Sequence, residues 1–227
     1  MATGICEYLT KEESRAPTSW KEAIYELDGA VGALLLGRRV PQTPEPRLLN
    51  LGCGPLIYPG WINADYCSVI RLFRQREFRP DWQLDAAKPW KAPDNYFDGI
   101  FTQHVLEHFP YRQAIFVLDE CYRTLKPGAW LRVSVPDVDK FINFTVLNES
   151  YPGSYLRRAE AISRVTQHHG HKSVWDPGLM VEVLQERGFV NVREAGFQQG
   201  ADMRLAGMDQ DVKRGESLYA EAQKPSR

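Results

Sequence analysis

Leu48-Leu49-Asn50-Leu51-Gly52-Cys53-Gly54-Pro55 is the stretch on which the fold turns. Three leucines in four positions, closed off upstream by Arg47 and a run of prolines, suit a strand covered on both faces. Gly52 and Gly54 then let the backbone turn sharply and approach a ligand with no Cβ in the way. In a parallel sheet such a turn lies at the carboxyl end of a strand, where open α/β folds bind their ligands. A glycine pair also serves plain turns, so its meaning depends on the surrounding chain.

Downstream, Trp61 to Asp65 reads as a second strand ending in a carboxylate, with room before it for no more than a very short crossover helix. Asp65 stands where a doubly wound fold presents an acid to ribose hydroxyls, or else is a cap or surface acid. Ser68 to Pro80, with Arg71, Arg74, Arg76 and Arg79, reads as a basic, partly helical insertion. Gln83-Leu84-Asp85 gives a third short strand. Phe97 to Thr102 gives a fourth, whose end delivers Gln103-His104-Val105-Leu106-Glu107-His108. Tyr111 to Leu125 has helical apolar spacing and stops at Lys126-Pro127-Gly128; Trp130 to Val135 is a fifth strand leading to Pro136-Asp137. The polar groups therefore gather at one edge of one sheet. Pro177 to Arg187 reads as a helix ended by Gly188, and Phe189 to Phe197 with Ser217 to Ala222 as an antiparallel pair.

Upstream, residues 1–19 read as a polar arm and Trp20 to Leu36 as a leading helix with Ile24, Leu27, Val31, Leu34 and Leu35 inward, capped by Thr18-Ser19. The expected division is an arm and leading helix over 1–46, and a main domain over 47–227 with an inserted segment at 66–80 and substrate-side loops at 141–176 and 198–216. The 227 residues suit one such domain. Twenty-eight basic and twenty-nine acidic residues, a net charge of -1, argue against a nucleic-acid or anionic-membrane surface. Cys6, Cys53, Cys67 and Cys121 show no metal-like spacing and read as reduced thiols. With no apolar run near ~18 residues and no signal-like N-terminus, the expectation is a soluble cytoplasmic protein.

Taken together, L-L-N-L-G-C-G, the acid at Asp65, L-D-A-A at Asp85, F-D-G-I-F-T-Q-H-V-L-E-H-F and E-C-Y-R-T-L-K-P-G-A-W-L-R-V-S-V-P-D resemble the class I S-adenosylmethionine-dependent methyltransferases over residues 47–140. The resemblance implies an α/β fold: a Rossmann-like, doubly wound, mostly parallel sheet with a final antiparallel strand and helices on both faces. It implies that Gly52, Cys53 and Gly54 pass under the methionine part of S-adenosylmethionine. Asp65 would hold the ribose, Asp85 and Ala86 frame the adenine, and Gln103 and His104 line the floor. Asn50 replaces the acid that often opens the glycine motif, and its carbonyl oxygen could still accept from an ammonium. More narrowly, P-G-W-I-N-A-D, S-V-P-D and H-K-S-V-W resemble a subgroup associated with sugar-polymer synthesis, which implies a saccharide acceptor, with a methylated mannoside as one concrete case.

Methyl transfer to an alcohol needs alignment and removal of a proton, by a base or by a metal that acidifies the hydroxyl. His108, His171 and Asp137 are the candidate acid-base residues, with Asp137 orienting an imidazole or accepting from a substrate hydroxyl. His168 and His169 read instead as solvated. His104 and His108, read as an i, i+4 pair on one helical face, form with Glu107 a weaker metal set. Some quinone-pathway O-methyltransferases place a metal in a similar segment, which implies Mg²⁺, although His104 stands where an oxygen ligand would suit that ion better. Glu107 could equally cap or pair with Arg123. Tyr58, Trp61, Tyr151, Tyr155 and Trp175 could stack on pyranose faces or pack a core or lid. The expected partner is a small hydrophilic molecule with no nucleic acid and no membrane insertion; a homodimer stays open. The rival readings are an O-methyltransferase for a quinone, phenol or other small metabolite, a non-catalytic cofactor-binding subunit and, less well supported for want of the full G-x-G-x-x-G, a nicotinamide enzyme.

Overall fold

Alternating side chains of the leucine run divide between two apolar layers. The computed structural model describes residues 4–11, 27, 31, 39–66, 80–143, 157–167 and 170–226. Among them, strands β1 (Leu48–Leu51), β2 (Ile62–Asp65), β3 (Trp82–Gln83), β4 (Phe97–Gln103), β5 (Leu125–Pro136), β6 (Val190–Glu194) and β7 (Ser217–Gln223) join one sheet. Their order is β3-β2-β1-β4-β5-β7-β6. β1 through β5 pair in parallel, and β7 runs antiparallel to both β5 and β6. The winding reverses between β1 and β4, which places a crevice at the carboxyl ends of those two strands.

The helices are α1 (Ile5–Lys11), α2 (Tyr111–Thr124), α3 (Val138–Ile142), α4 (Arg158–Gln167), α5 (Pro177–Glu186) and α6 (Met203–Ala206). Leu49, Leu51, Ile62, Ile100, Leu131 and Val133 face a core closed by Val117 and Leu118 of α2 and by Met180, Val183 and Leu184 of α5. The intervening residues Leu48 and Phe101 face the other way, onto Leu205 of α6, with Tyr58, Trp61 and Trp130 alongside. Helices thus cover both faces. The second layer is locked by Arg132, 1% exposed, whose Nε donates to Asp209 Oδ1 at 2.9 Å while its terminal nitrogens donate to the carbonyls of Gly196 and Gln199.

Several sequence expectations change. Ile5–Lys11, expected within a polar arm, is a helix because Ile5, Cys6 and Leu9 supply an apolar face, and Cys6 N–H donates to Glu186 at 2.7 Å. Leu27 and Val31, expected inward, are helical but 69% and 42% exposed. The rest of that leading helix lies outside the described residues, as do 67–79 of the insertion, His168 and His169. β3 is shorter than expected and stops two residues before Asp85. α2 passes directly into β5, which absorbs Lys126-Pro127-Gly128 through a register irregularity with Gly128 at φ +81°. The expected loop 141–176 contains α4, whose Ala161 and Val165 pack on Phe141 of α3.

Candidate active site

At the end of β1, Gly52 and Gly54 both adopt positive φ, +70° and +53°. A Cβ on Gly52 would lie 2.2 Å from Val105 Cγ2, so glycine there lets β1 and the segment after β4 close on each other. A Cβ on Gly54 would meet nothing within 4 Å, which leaves its backbone open to a ligand. Gly54 N–H donates to Asp65 Oδ2 at 2.7 Å, so the acid ending β2 braces the turn. Asn50 is buried; its amide donates to Leu56 O at 2.9 Å and to Asn63 Oδ1 at 3.1 Å, and Asn63 in turn donates to Asp81. Its amide nitrogen thus serves the loop frame. Cys53 is buried under the turn. Asp85 accepts from Ala87 N–H and pairs with Lys88 at 2.8 Å, and Ala86 is buried, its carbonyl taken by Trp90 Nε1. Gln103, the last residue of β4, accepts at Oε1 from Gln210 N–H at 3.4 Å, while its buried Nε2 donates to no hydrogen-bond acceptor among the described residues.

Beyond Gln103, His104 takes positive φ, +55°, an uncommon state for a residue with a Cβ, and turns the chain back under β5. A cavity of about 400 Å³ opens here. Its walls are His104, Glu107 and His108 after β4, Pro136 and Phe141 at the end of β5 and in α3, Arg164 and Val165 of α4, His171, and Lys213 with Glu216 before β7. Glu107 and His108 sit on the 3-10 turn Leu106–His108. The Glu107 carbonyl accepts from Lys172 and Ser173 N–H at 2.7 and 3.2 Å, which ties the His171 segment to that turn. His171 Nδ1 lies 2.7 Å from the Val165 carbonyl. A carbonyl only accepts, so Nδ1 carries the hydrogen and Nε2 keeps the lone pair in the neutral ring. The His108 and His171 rings meet edge to face at 5.1 Å.

Glu107 is 1% exposed, and neither carboxylate oxygen accepts a hydrogen bond. His104 Nδ1 is 3.3 Å and His108 Nε2 3.9 Å from its Oε1. Burial pushes the acid up to about 8, against smaller opposing effects of its own backbone N–H and of Lys213.

The structure brings His104, Glu107, His108 and His171 together, but not as the sequence suggested. His104 and His108 do not share a helical face, because His104 precedes the turn in left-handed backbone and its Nε2 engages Ser217 Oγ at 2.7 Å. One ligand atom each from Glu107, His108 and His171 lies within 4.8 Å of the others. Glu107 does not pair with Arg123, which bonds Glu120 and Asp94. Asp137 is 5% exposed and caps α3, accepting from Asp139 N–H at 3.0 Å; burial raises its carboxyl above the usual range. Trp175, a candidate sugar platform, is fully buried, with its indole N–H on Ser173 Oγ. Tyr58 and Trp61 pack in the second-face layer, and Tyr151 and Tyr155 lie outside the described residues. Arg164, Lys213 and Glu216 escaped the sequence reading because single charged residues in polar segments carry no signal of their destination.

Residues 49–133 match a family model described as a methyltransferase domain. The matched stretch runs from β1 into β5, the part of the sheet that forms the crevice. Among curated proteins this chain is 25% identical over 140 residues to phosphoethanolamine N-methyltransferase 2 of Caenorhabditis elegans, covering 57% of this chain and 31% of that protein. It thus spans about a third of the length of that relative. A SAM-dependent methyltransferase from Archaeoglobus fulgidus shares the fold at TM-score 0.51 and 18% identity, over 88% of this chain and 94% of that one. A Haloferax volcanii methyltransferase, solved in complex with the Trm112 methyltransferase activator, does so at TM-score 0.51 and 14% identity, over 93% and 99%. No helix among the described residues is long and apolar enough to cross a membrane.

Proposed function

We propose that this methyltransferase is an O-methyltransferase that moves the methyl group of S-adenosylmethionine to a hydroxyl of a small hydrophilic acceptor, a saccharide. The observation that carries the oxygen assignment is His171: its Nδ1–H is committed to Val165 O, and the lone pair stays on Nε2 in a polar cavity beside His108 and Glu107. An alcohol must shed a proton as it is alkylated, and a positioned base contributes about 10²–10⁴-fold to such a step. Support for a saccharide comes from the P-G-W-I-N-A-D, S-V-P-D and H-K-S-V-W resemblance and from the charged lining of the cavity, in which, among the described residues, Phe141 is the one aromatic ring beyond the imidazoles.

The residues at the crevice fit the nucleoside. Gly54 leaves open space where a side chain would intrude, and the buried Gln103 Nε2 is a donor without an acceptor. Gly52, Cys53 and Gly54 would hold the methionine part, Asp65 the ribose, Asp85 and Ala86 the adenine, with Gln103 and His104 on the floor. When bound, the cofactor supplies an electrophilic methyl group. This chain's own residues do the rest: the His104 bend separates the cofactor floor from the acceptor cavity, and the His108–His171 pair receives the acceptor proton. Asp137 positions α3, and through it Phe141. Among the described residues Cys6, Cys53 and Cys121 are buried thiols outside any disulfide, which supports a reducing, cytoplasmic setting.

A second reading, N-methylation of a phosphorylated amine, is favoured by Arg164 and Lys213 in the cavity wall and by the relative that is a phosphoethanolamine N-methyltransferase. A labelled-methyl assay against short saccharides, phenols and phosphoethanolamine separates the two. Saccharide methylation lost in His171→Ala, with S-adenosylhomocysteine affinity kept, is the expected result. Phosphoethanolamine turnover that survives His171→Ala overturns the oxygen assignment.

A further inference from the structure

We propose that Glu107, His108 and His171 form a binding site for one divalent ion of the zinc and cobalt type. Each offers one ligand atom, and the three lie within 4.8 Å of one another. Around a tetrahedral ion with bonds of about 2.0–2.2 Å, donors stand about 3.4 Å apart, so closure asks each pair of ligand atoms to approach by about 1.4 Å at most.

The backbone is already arranged for this. Glu107 and His108 share one 3-10 turn, and the Lys172 and Ser173 N–H groups bonded to the Glu107 carbonyl hold the His171 segment against it. His171 Nδ1 is bonded to a carbonyl, the outer contact that metal-bound imidazoles usually make and that aims Nε2 at the ion. Independently, Glu107 is 1% exposed with neither oxygen accepting a hydrogen bond. An ion bound here would give the Glu107 carboxylate the partner that its oxygens lack, and Oε1 already lies 3.9 Å from His108 Nε2. His104 Nδ1, 3.3 Å away, is the competing partner if protonated, and Lys213 on the cavity wall is paired with Glu216 at 2.7 Å.

The donor set decides the ion. Mg²⁺ strongly prefers oxygen, so two nitrogens and one oxygen do not suit it; zinc, cobalt and nickel accept that mixture. The open side faces the cavity, which leaves coordination positions for an acceptor oxygen. The binding site stands on geometry alone, but its use, acidifying an acceptor hydroxyl, rests on the proposed O-methylation; with the ion bound both imidazole lone pairs are taken, and the acidified hydroxyl gives its proton to solvent in place of the imidazole base.

The test uses the full chain, stripped with chelator and titrated with Co²⁺ by visible absorption and with Zn²⁺ by calorimetry. One equivalent of each is expected to bind, with stronger d–d bands than aqueous Co²⁺. Glu107→Gln and His171→Ala should each weaken binding by more than about 100-fold, beyond what loss of an outer-shell contact costs. His108→Ala, at a side chain 40% exposed, is the variant expected to fold without difficulty and should weaken it similarly. Circular dichroism and S-adenosylhomocysteine titration accompany every variant. Absence of saturable binding, or binding that a folded His108→Ala retains in full, overturns the site. Metal binding without S-adenosylhomocysteine affinity would keep the site and remove the methyl-transfer reading; the converse would do the opposite.

Discussion

Gly52 concentrates two constraints in one residue. An alanine there would occupy left-handed backbone, costing about 1–2 kcal/mol, and would drive its Cβ into Val105, a clash of the kind that costs about 1–3 kcal/mol. Gly52→Ala is expected to lose roughly 2–5 kcal/mol in urea melts. Adding Val105→Ala should recover the steric part and leave the backbone part. If the double variant is no more stable than the single one, Val105 is not what the glycine avoids.

Asp98 illustrates a different residue-level effect. Burial alone would raise its carboxyl, but the Lys126 ammonium at 2.7 Å and the Arg47 N–H at 2.8 Å hold it below the ordinary carboxylate range. Its folded pKa is therefore depressed, so its stabilisation is fully present above the unfolded value near ~3.9 and is lost as pH falls through the folded one. Asp98→Asn is expected to cost about 1–2 kcal/mol at pH 7, given partial exposure, and the deficit should fade below about pH 4. A deficit that is constant from pH 7 to pH 3 would assign the cost to packing.

Among elements, the segment running from Gly196 through α6 to Asp209 depends on a charge beneath it. Arg132 is 1% exposed and holds Asp209 and the carbonyls of Gly196 and Gln199; Glu221 lies 3.8 Å from it and bonds Arg193. Arg132→Met would strand a buried carboxylate and is expected to cost about 3–5 kcal/mol, while Arg132→Met with Asp209→Leu should regain much of it. Equal losses in the single and double variants would contradict this account. The sequence could not reveal this pair, because nothing in Arg132 or Asp209 records that they lie 77 residues apart in the chain and meet in space. What was legible was local: the leucine run of β1, the acid closing β2, the helix of α2, and Pro177 to Gly188, where Asp176 caps α5 and Gly188 ends it at φ +88°. Trp175 misled for the same reason that Arg132 was silent: an aromatic residue in a loop-like sequence looks identical whether it faces a ligand or, as here, Tyr111 and the core. The His104–His108 pairing failed because a 3.6-residue period was assumed where a positive-φ residue interrupts it.

At the scale of the molecule, a nucleoside bound only by the folded state adds stability by mass action. At 100 times its dissociation constant S-adenosylhomocysteine should contribute about 2.7 kcal/mol, which for a chain of 227 residues is a rise in melting temperature of about 5–11 °C. No rise at saturating ligand would refute the proposed cofactor cradle. The reversal of winding between β1 and β4 also divides the labour along the gene. Every residue of the proposed cradle precedes Val105, and, after the Glu107–His108 turn, the remaining acceptor wall is encoded from Pro136 onward. A recombination event with its breakpoint within β5 would therefore exchange the cavity wall from Pro136 onward while inheriting the proposed cradle together with His104, Glu107 and His108. Most of the cavity wall can in this way pass among descendants as one block of coding sequence, while the Glu107–His108 turn stays with the cradle.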